Sequence, residues 1–167
     1  MKNKSTIETE LKFRVDDVIK LFKKLQGVKP KIYYIKDEIF NCGNERLRKR
    51  TIVVNCLATI EYQLTKDITR NGVKRIIEKN IKRIPKGFVI KNSYEKIRYL
   101  FERDNCLISI DFYPIGIFCE IEGKEKDIKR MAKRLGFRLK DSLSQNIDAI
   151  YCSMTKKARS HWGFGKI

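Results

Sequence analysis

The strongest constraint on the fold is the strict alternation of charged and uncharged residues in the first predicted strand, residues 7–15. Its even positions are Glu8, Glu10, Lys12 and Arg14, whereas its odd positions are apolar apart from one threonine. Because successive side chains on a strand point to opposite faces, one face of this strand is fully charged and the other is nearly apolar. Two interpretations fit. The strand either lies on the surface with cross-strand ion pairs, or its carboxylates share a hard cation while its bases reach an anion.

The same alternation recurs in later segments that the sequence predicts as strands. Turn signals separate these segments and give about eight strands in hairpin order. Helices are predicted from 16 or 17 to 27, over 124–135, and from 141 or 142 to about 154. The pattern predicts an α+β fold, a closed eight-stranded antiparallel β-barrel with a polar lumen, flanked by helices. We expect a single domain over residues 1–155 and a basic, frayed C-terminal tail over 156–167.

The charged alternating positions are the candidate site residues. Arginine offers planar, bidentate donors for phosphate oxygens, and lysine offers point charges. Carboxylate pairs suit Mg²⁺ or Mn²⁺, which also bind phosphate oxygens. A lumen with both sets suits a triphosphate with its metal ions, whereas surface ion pairs would not explain why the pattern recurs on several strands. The acids are Glu8, Glu10, Glu78, Asp111, Glu120 and Glu122, and the bases are Lys12, Arg48, Arg50, Lys66, Lys96 and Arg98.

The overall composition limits the classes of partner and of site. Lysine and arginine number 38 against 20 aspartates and glutamates, a net charge of +18, which predicts an anionic partner. No apolar run is long enough to span a membrane and no signal peptide is apparent, so we expect a cytoplasmic protein without a membrane anchor. The five cysteines form no C-x-x-C pair, which favours buried thiols. The single histidine, His161, argues against a histidine metal site or a Ser-His-Asp triad.

Several short motifs around these positions resemble those of the CYTH superfamily, the triphosphate tunnel metalloenzymes. This family includes class IV adenylyl cyclases, thiamine triphosphatases and inorganic triphosphatases. The resemblance covers about residues 7–136, and the motifs occur in the family's order. The matching stretches are E-T-E-L-K at 8–12, L-R-K-R at 47–50, L-T-K at 64–66, K-I-R at 96–98, I-D at 110–111 and G-I-F-C-E-I-E at 116–122.

The resemblance implies an eight-stranded antiparallel tunnel that holds a triphosphate and one or two divalent cations, Mg²⁺ or Mn²⁺. It implies catalytic roles for Glu8, Glu10 and Lys12. Where the family has R-x-E-x-E, this chain has K-R-I-I-E at 74–78, so the roles of Lys74 and Glu78 stay open. By the same resemblance, the triphosphate would be bound by Lys12, Arg48, Arg50, Lys66, Lys96 and Arg98, and the cations by Glu8, Glu10, Asp111, Glu120 and Glu122.

Together, these observations predict a metal-dependent enzyme that acts on a triphosphate. We expect hydrolysis of a phosphoanhydride bond in inorganic, thiamine or nucleoside triphosphate, because hydrolysis needs no base recognition and the sequence shows no clear adenine site. The alternative is a class IV adenylyl cyclase that makes cyclic AMP and pyrophosphate from ATP. A third hypothesis is an RNA 5′-triphosphatase or a basic nucleic-acid-binding module. The partner would be a small triphosphate, with RNA as an option on the basic surface, and the chain would be a monomer or a homodimer.

Overall fold

The computed structural model describes residues 6–42, 45–70, 73–156 and 161–164, and it describes side chains for 9–40, 47–64, 79–156 and 161–164. None of the described helices combines the length and the apolarity that a membrane span requires. The elements are β1 (Thr6–Val15), α1 (Val18–Lys24), β2 (Lys31–Cys42), β3 (Glu45–Val54), β4 (Leu57–Arg70), β5 (Val73–Asn80), β6 (Ile90–Arg103), β7 (Cys106–Tyr113), β8 (Gly116–Gly123), α2 (Glu125–Leu135), a 3₁₀ turn (Leu139–Asp141), α3 (Ile147–Thr155) and β9 (His161–Trp162).

Eight antiparallel strands form one sheet, and the short β9 adds to it. The hydrogen-bonded order is β2-β3-β4-β5-β1-β8-β7-β6-β9. In addition, β2 pairs with β6, from Lys31 opposite Leu100 to Phe40 opposite Ile90. Each of the strands β1–β8 therefore has a strand partner on both sides. These pairings confirm the predicted α+β class and the predicted series of antiparallel hairpins.

One face of the sheet forms the main hydrophobic core against α1 and α2. Asp17 caps α1 by accepting a hydrogen bond from the backbone N of Lys20 at 2.9 Å. Gly136 ends α2 with a left-handed φ of 87°. Leu11 and Phe13 of β1 lie in this core, so the charged positions of the same strand point to the opposite face. The helices contribute Leu21, Leu25, Ile128, Met131, Ala132 and Leu135.

The last helix begins later than the sequence predicts. It spans Ile147–Thr155 and does not start at 141 or 142. The backbone N of Leu143 donates to the carbonyl O of Lys12 at 2.8 Å, which ties this stretch to β1 and not to a helical turn. Strand β4 also continues to Arg70, through residues that the sequence predicts as a turn. In both places a tertiary or cross-strand hydrogen bond outweighs local turn and capping preferences.

The segment 161–164 folds onto the sheet, so the expectation of a frayed tail is wrong for this segment. β9 pairs in parallel with β6 at Ser93 and Tyr94. The side chain of Trp162 is only 3% exposed and its ring stacks on Tyr151 and Tyr94, with centroid distances of 4.7 and 5.2 Å. A second core forms around it. Its buried members are Ile39, Tyr94, Tyr113, Phe118, Ile147, Ile150, Tyr151 and Trp162.

We predict that Trp162→Ala destabilises the protein by about 3–5 kcal/mol, because it removes a buried aromatic ring from this second core. Phe164→Ala is the matched control in the same segment, since the Phe164 side chain is 46% exposed. That control should change stability by less than about 0.5 kcal/mol. Urea unfolding followed by circular dichroism measures both effects. Equal stability of the two variants would show that the segment does not pack as described.

Candidate functional site

The register between β1 and β8 brings charged residues of both strands together. Lys12 lies opposite Glu120, and Glu10 lies opposite Glu122. Glu10 and Lys12 are 4% and 6% exposed, so these charges are buried although both strands are amphipathic. Buried charges are costly unless they are paired or bind an ion. We call the face of the sheet that carries these residues the charged face.

Three carboxylates, those of Glu10, Glu120 and Glu122, lie close enough together to hold a metal ion, and they are the one such set among the described residues. We call them the carboxylate group. Each residue offers an oxygen, and these oxygens lie within 4.8 Å of one another. Carboxylate oxygens are the donors that Mg²⁺ and Mn²⁺ prefer, and like charges placed opposite each other, as Glu10 and Glu122 are, repel without a cation. The residues therefore fit a hard divalent cation.

Glu120 is shared between this carboxylate group and two bases. Its Oε1 lies 3.0 Å from Lys12 Nζ, and its Oε2 accepts a hydrogen bond from Arg98 Nη2 at 2.6 Å. Burial alone would raise the pKa of Glu120, but Lys12, then Lys96 and Arg98 hold it well below the ordinary value. For Lys12 the effect of burial is the opposite, because burial lowers the pKa of a lysine. The negative charges of Glu120 and Glu10 outweigh burial and raise the pKa of Lys12 above the ordinary value. Both groups are therefore charged at neutral pH.

Asp111 lies beside Arg98 and Lys96 and not in the carboxylate group. Its Oδ1 accepts from Arg98 Nε at 2.6 Å, and its Oδ2 accepts from Arg98 Nη2 at 2.6 Å and from Lys96 Nζ at 2.7 Å. The ammonium of Lys96 also lies 5.4 Å from the ring centroid of Tyr113. Burial and then Arg98 lower the pKa of Lys96 to about 8, against the opposing effect of Asp111 and Glu120.

Asp37 is a site residue that the sequence analysis missed. It lies opposite Arg50 in the β2–β3 register and is 1% exposed. Its two oxygens accept from Arg50 Nε at 2.7 Å and from Arg50 Nη2 at 2.8 Å, a bidentate pair. Burial would raise the pKa of Asp37, but Arg50 and then Arg48 hold it well below the ordinary value. No clear sequence signal marks Asp37, because Lys36, Asp37 and Glu38 are consecutive charged residues without alternation.

Arg48 is a further half-buried base of the charged face. It is two residues from Arg50 on β3, so it points to the same side. Its Nε donates to Gln63 Oε1 at 3.1 Å, and its Nη2 contacts the same oxygen. Gln63 is neutral, unlike the carboxylates that accept from Arg50 and Arg98. The positive charge of Arg48 also helps to lower the pKa of Asp37.

The structure brings most of the predicted site residues together. Glu10, Lys12, Glu120, Arg98, Asp111 and Lys96 form one connected network of ion pairs, because Glu120 contacts Lys12 and Arg98, and Asp111 contacts Arg98 and Lys96. Arg50 is held separately by Asp37. The side chains of Glu8, Lys66, Lys74 and Glu78 lie outside the described residues, and the roles of the site residues stay predictions.

Aromatic residues adjoin this network on the same face. Tyr94 precedes Lys96 by two residues on β6, and Phe118 precedes Glu120 by two residues on β8. Both aromatic residues belong to the second core, with Trp162 and α3. The charged face therefore passes from carboxylates and bases into a packed aromatic core along the direction of these strands.

Comparison with known proteins identifies the fold. The sequence matches no protein-family profile and no curated protein, but solved structures match over most of the chain. A conserved hypothetical protein from Pyrococcus furiosus has a TM-score of 0.68 at 20% identity, covering 84% of this chain and 97% of that one. A Pyrococcus horikoshii OT3 protein gives 0.69 at 21%, covering 83% and 96%. A Vibrio parahaemolyticus protein described as a "putative adenylate cyclase" gives 0.66 at 16%, covering 89% and 99%.

The fold is of the CYTH type. This confirms the resemblance noted in the sequence at the level of the fold, since the identities are all low. The CYTH fold places the motif residues of β1, β6 and β8 on the one charged face described above. It also accounts for the alternation with which the chain begins, because the face opposite the charges carries the helices.

We predict that Lys96 makes stability rise with pH between about pH 8 and its ordinary pKa of 10.5. In this window Lys96 is neutral in the folded state but protonated in the unfolded state, so the unfolded state binds more protons and loses stability relative to the folded state as pH rises. The free energy of unfolding of wild type should therefore rise relative to Lys96→Met, by at most about 1.4 kcal/mol per pH unit.

Urea unfolding at about pH 7.5 and about pH 9.5 measures this difference. Lys91→Met, which replaces an exposed lysine on the same strand, is the control and should follow the wild-type pH dependence. A difference between wild type and Lys96→Met that is the same at both pH values would contradict the lowered pKa.

Proposed function

We propose that this protein is a metal-dependent enzyme that binds a triphosphate within a closed eight-stranded barrel and hydrolyses one of its phosphoanhydride bonds. The observation that carries the proposal is the contact between the carboxylate group of Glu10, Glu120 and Glu122 and the bases Lys12 and Arg98. A cation site that directly adjoins phosphate-binding bases is what a metal–triphosphate complex requires. The pairing of β2 with β6 supports closure of the barrel around this charged face.

The proposed roles of the individual residues follow from their chemical types. Glu10, Glu120 and Glu122 would hold Mg²⁺ or Mn²⁺, with Glu8 as a further candidate. Such a cation neutralises phosphate oxygens and activates a water or hydroxyl. Arg50 and Arg98 are already oriented by bidentate carboxylates, so each keeps further N–H groups for a phosphate without having to be ordered first. The remaining phosphate ligands would be Lys12, Arg48, Lys66 and Lys96.

Adenylyl cyclase activity is the second candidate. The solved Vibrio parahaemolyticus structure with this fold is described as a "putative adenylate cyclase", which favours ATP as a substrate. Both reactions need the same phosphate clamp, so the tunnel residues do not distinguish them. Attack of water on the terminal phosphorus gives hydrolysis, whereas attack of the ribose 3′-hydroxyl on the α-phosphorus gives cyclic AMP and pyrophosphate.

A product assay tests the proposal and separates the candidates. Inorganic triphosphate, ATP, thiamine triphosphate and 5′-triphosphorylated RNA are each incubated with the protein in Mg²⁺ and in Mn²⁺. We expect release of orthophosphate from at least one of the small triphosphates. Formation of cyclic AMP and pyrophosphate from ATP would establish the cyclase instead. Turnover of the RNA alone would indicate an RNA 5′-triphosphatase whose basic surface binds the RNA. Turnover of none of the four substrates would refute the proposed enzyme.

We predict that Glu10→Gln and Glu122→Gln each abolish activity and leave the fold intact. Each variant removes one carboxylate of the proposed cation site, and the loss of like-charge repulsion should not destabilise the metal-free protein. The control is Glu38→Gln, because Glu38 pairs with Lys49 on the other side of β2 from Asp37. Activity is measured with and without a chelator. Full activity in either site variant, or activity that the chelator does not reduce, would count against metal catalysis.

We predict that Arg50→Lys lowers kcat/KM by about tenfold to a hundredfold, with part of the loss in kcat. The substitution keeps the charge but loses the bidentate fork, and a charge-assisted hydrogen bond contributes about 1.5–3 kcal/mol. Lys49→Ala is the control, because Lys49 is the next residue on β3 and pairs with Glu38 on the other side of the strand. The thermal midpoint is measured for both variants, since Arg50→Lys also weakens the buried pair with Asp37. Equal kinetics in the two variants would refute the clamp assignment.

A further inference from the structure

The ionisable residues of the charged face balance one another. Each buried or half-buried base on it contacts an acceptor on the same face, and all of these acceptors except Gln63 are carboxylates. The five bases are Lys12, Arg48, Arg50, Lys96 and Arg98, and the five acids are Glu10, Asp37, Asp111, Glu120 and Glu122. A triphosphate that approaches this set meets bases whose charge is largely neutralised. Strong binding of the anion therefore requires that some bases exchange a carboxylate for phosphate oxygens.

The carboxylates are not equivalent in this respect. Asp37 and Asp111 are 1% and 0% exposed, and each binds an arginine in a bidentate pair. They orient the arginines and lie outside the carboxylate group. Glu120 differs, because it belongs to that group and yet both of its oxygens are also used by bases. Lys12 and a cation therefore compete for Glu120, and so do Arg98 and a cation.

We propose that Glu120 couples cation binding to triphosphate binding by exchanging partners. Without a cation, Glu120 binds Lys12 and Arg98 and thereby weakens the binding of both to phosphate. When Glu120 instead binds a cation, together with Glu10 and Glu122, it releases its two bases. Lys12 and Arg98 are then available to phosphate oxygens. This inference rests on the proposed function. It adds a second role for the cation, which frees Lys12 and Arg98 for the phosphate as well as neutralising the charge of the substrate.

The first consequence concerns the anion alone. In metal-free buffer, Glu120→Gln should bind tripolyphosphate at least about tenfold more tightly than wild type, because Lys12 and Arg98 lose the carboxylate that engages them. Removal of a carboxylate from a proposed cation site thus strengthens metal-free anion binding. Glu122→Gln removes an equal charge from the same group and serves as the matched control for general electrostatics. Its gain in affinity should be clearly smaller.

The second consequence concerns the cation alone. In the absence of phosphate, Lys12→Met should bind Mn²⁺ more tightly than wild type, because Lys12 no longer competes for Glu120. Lys96→Met removes the same charge from a buried lysine whose hydrogen bond goes to Asp111, and it is the control. Its gain in Mn²⁺ affinity should be smaller than that of Lys12→Met. This second pair keeps the proposal testable if Glu120→Gln fails to fold.

Isothermal titration measures tripolyphosphate binding to wild type, Glu120→Gln and Glu122→Gln, each with a chelator and then with Mn²⁺. Electron paramagnetic resonance of free Mn²⁺ measures metal binding to wild type, Lys12→Met and Lys96→Met. A larger metal-free gain in Glu120→Gln than in Glu122→Gln, and a larger Mn²⁺ gain in Lys12→Met than in Lys96→Met, support the exchange. Equal gains within either pair, or no gain, overturn it. If wild type does not bind tripolyphosphate even with Mn²⁺, the proposed function itself fails, which is a different result.

Discussion

Buried charges must be paired, and the architecture of this protein depends on how the strand registers achieve that pairing. Removing a carboxylate or an ammonium from water costs several kcal/mol unless a partner lies at hydrogen-bonding distance. Three antiparallel registers supply such partners directly across the strands. Asp37 lies opposite Arg50, Arg98 lies opposite Asp111, and Lys12 lies opposite Glu120. A one-residue slip in the β1–β8 or the β6–β7 register would move the charges into the helix-packed core and the apolar residues onto the charged face.

The apolar face of the same strands explains how so polar a site is tolerated. β1, β7 and β8 bury their alternate residues under α1 and α2, so each of these strands contributes to a hydrophobic core as well as to the charged face. The second core, around Trp162, extends the charged face with apolar and aromatic side chains. Hydrophobic burial on both sides can thus offset the cost of ordering and desolvating the ion pairs. The rigid scaffold also keeps the arginines in place, which a phosphate clamp requires.

The large positive charge of the chain does not come from the described site. The five buried or half-buried bases of the charged face are matched by five buried or half-buried carboxylates, so the net charge of +18 is carried by the rest of the chain. Local electrostatics at the site are therefore governed by which carboxylate engages which base, and not by a general excess of positive charge. The excess can still attract anions over a longer range, with a strong dependence on salt. Site chemistry and surface attraction are thus separable properties of this protein.

The sequence alone determined the series of antiparallel strands and the charged alternation, because a period of two assigns each side chain to one of two faces whatever the partner strand is. It did not reveal Asp37, since Lys36-Asp37-Glu38 is charged at every position and does not show which side is buried. Nor did it show that Asp111 binds Lys96 and Arg98, that Trp162 packs into a core, or that Leu143 is tied to β1. These features depend on contacts between segments far apart in the chain, and only the three-dimensional register decides which of those segments meet.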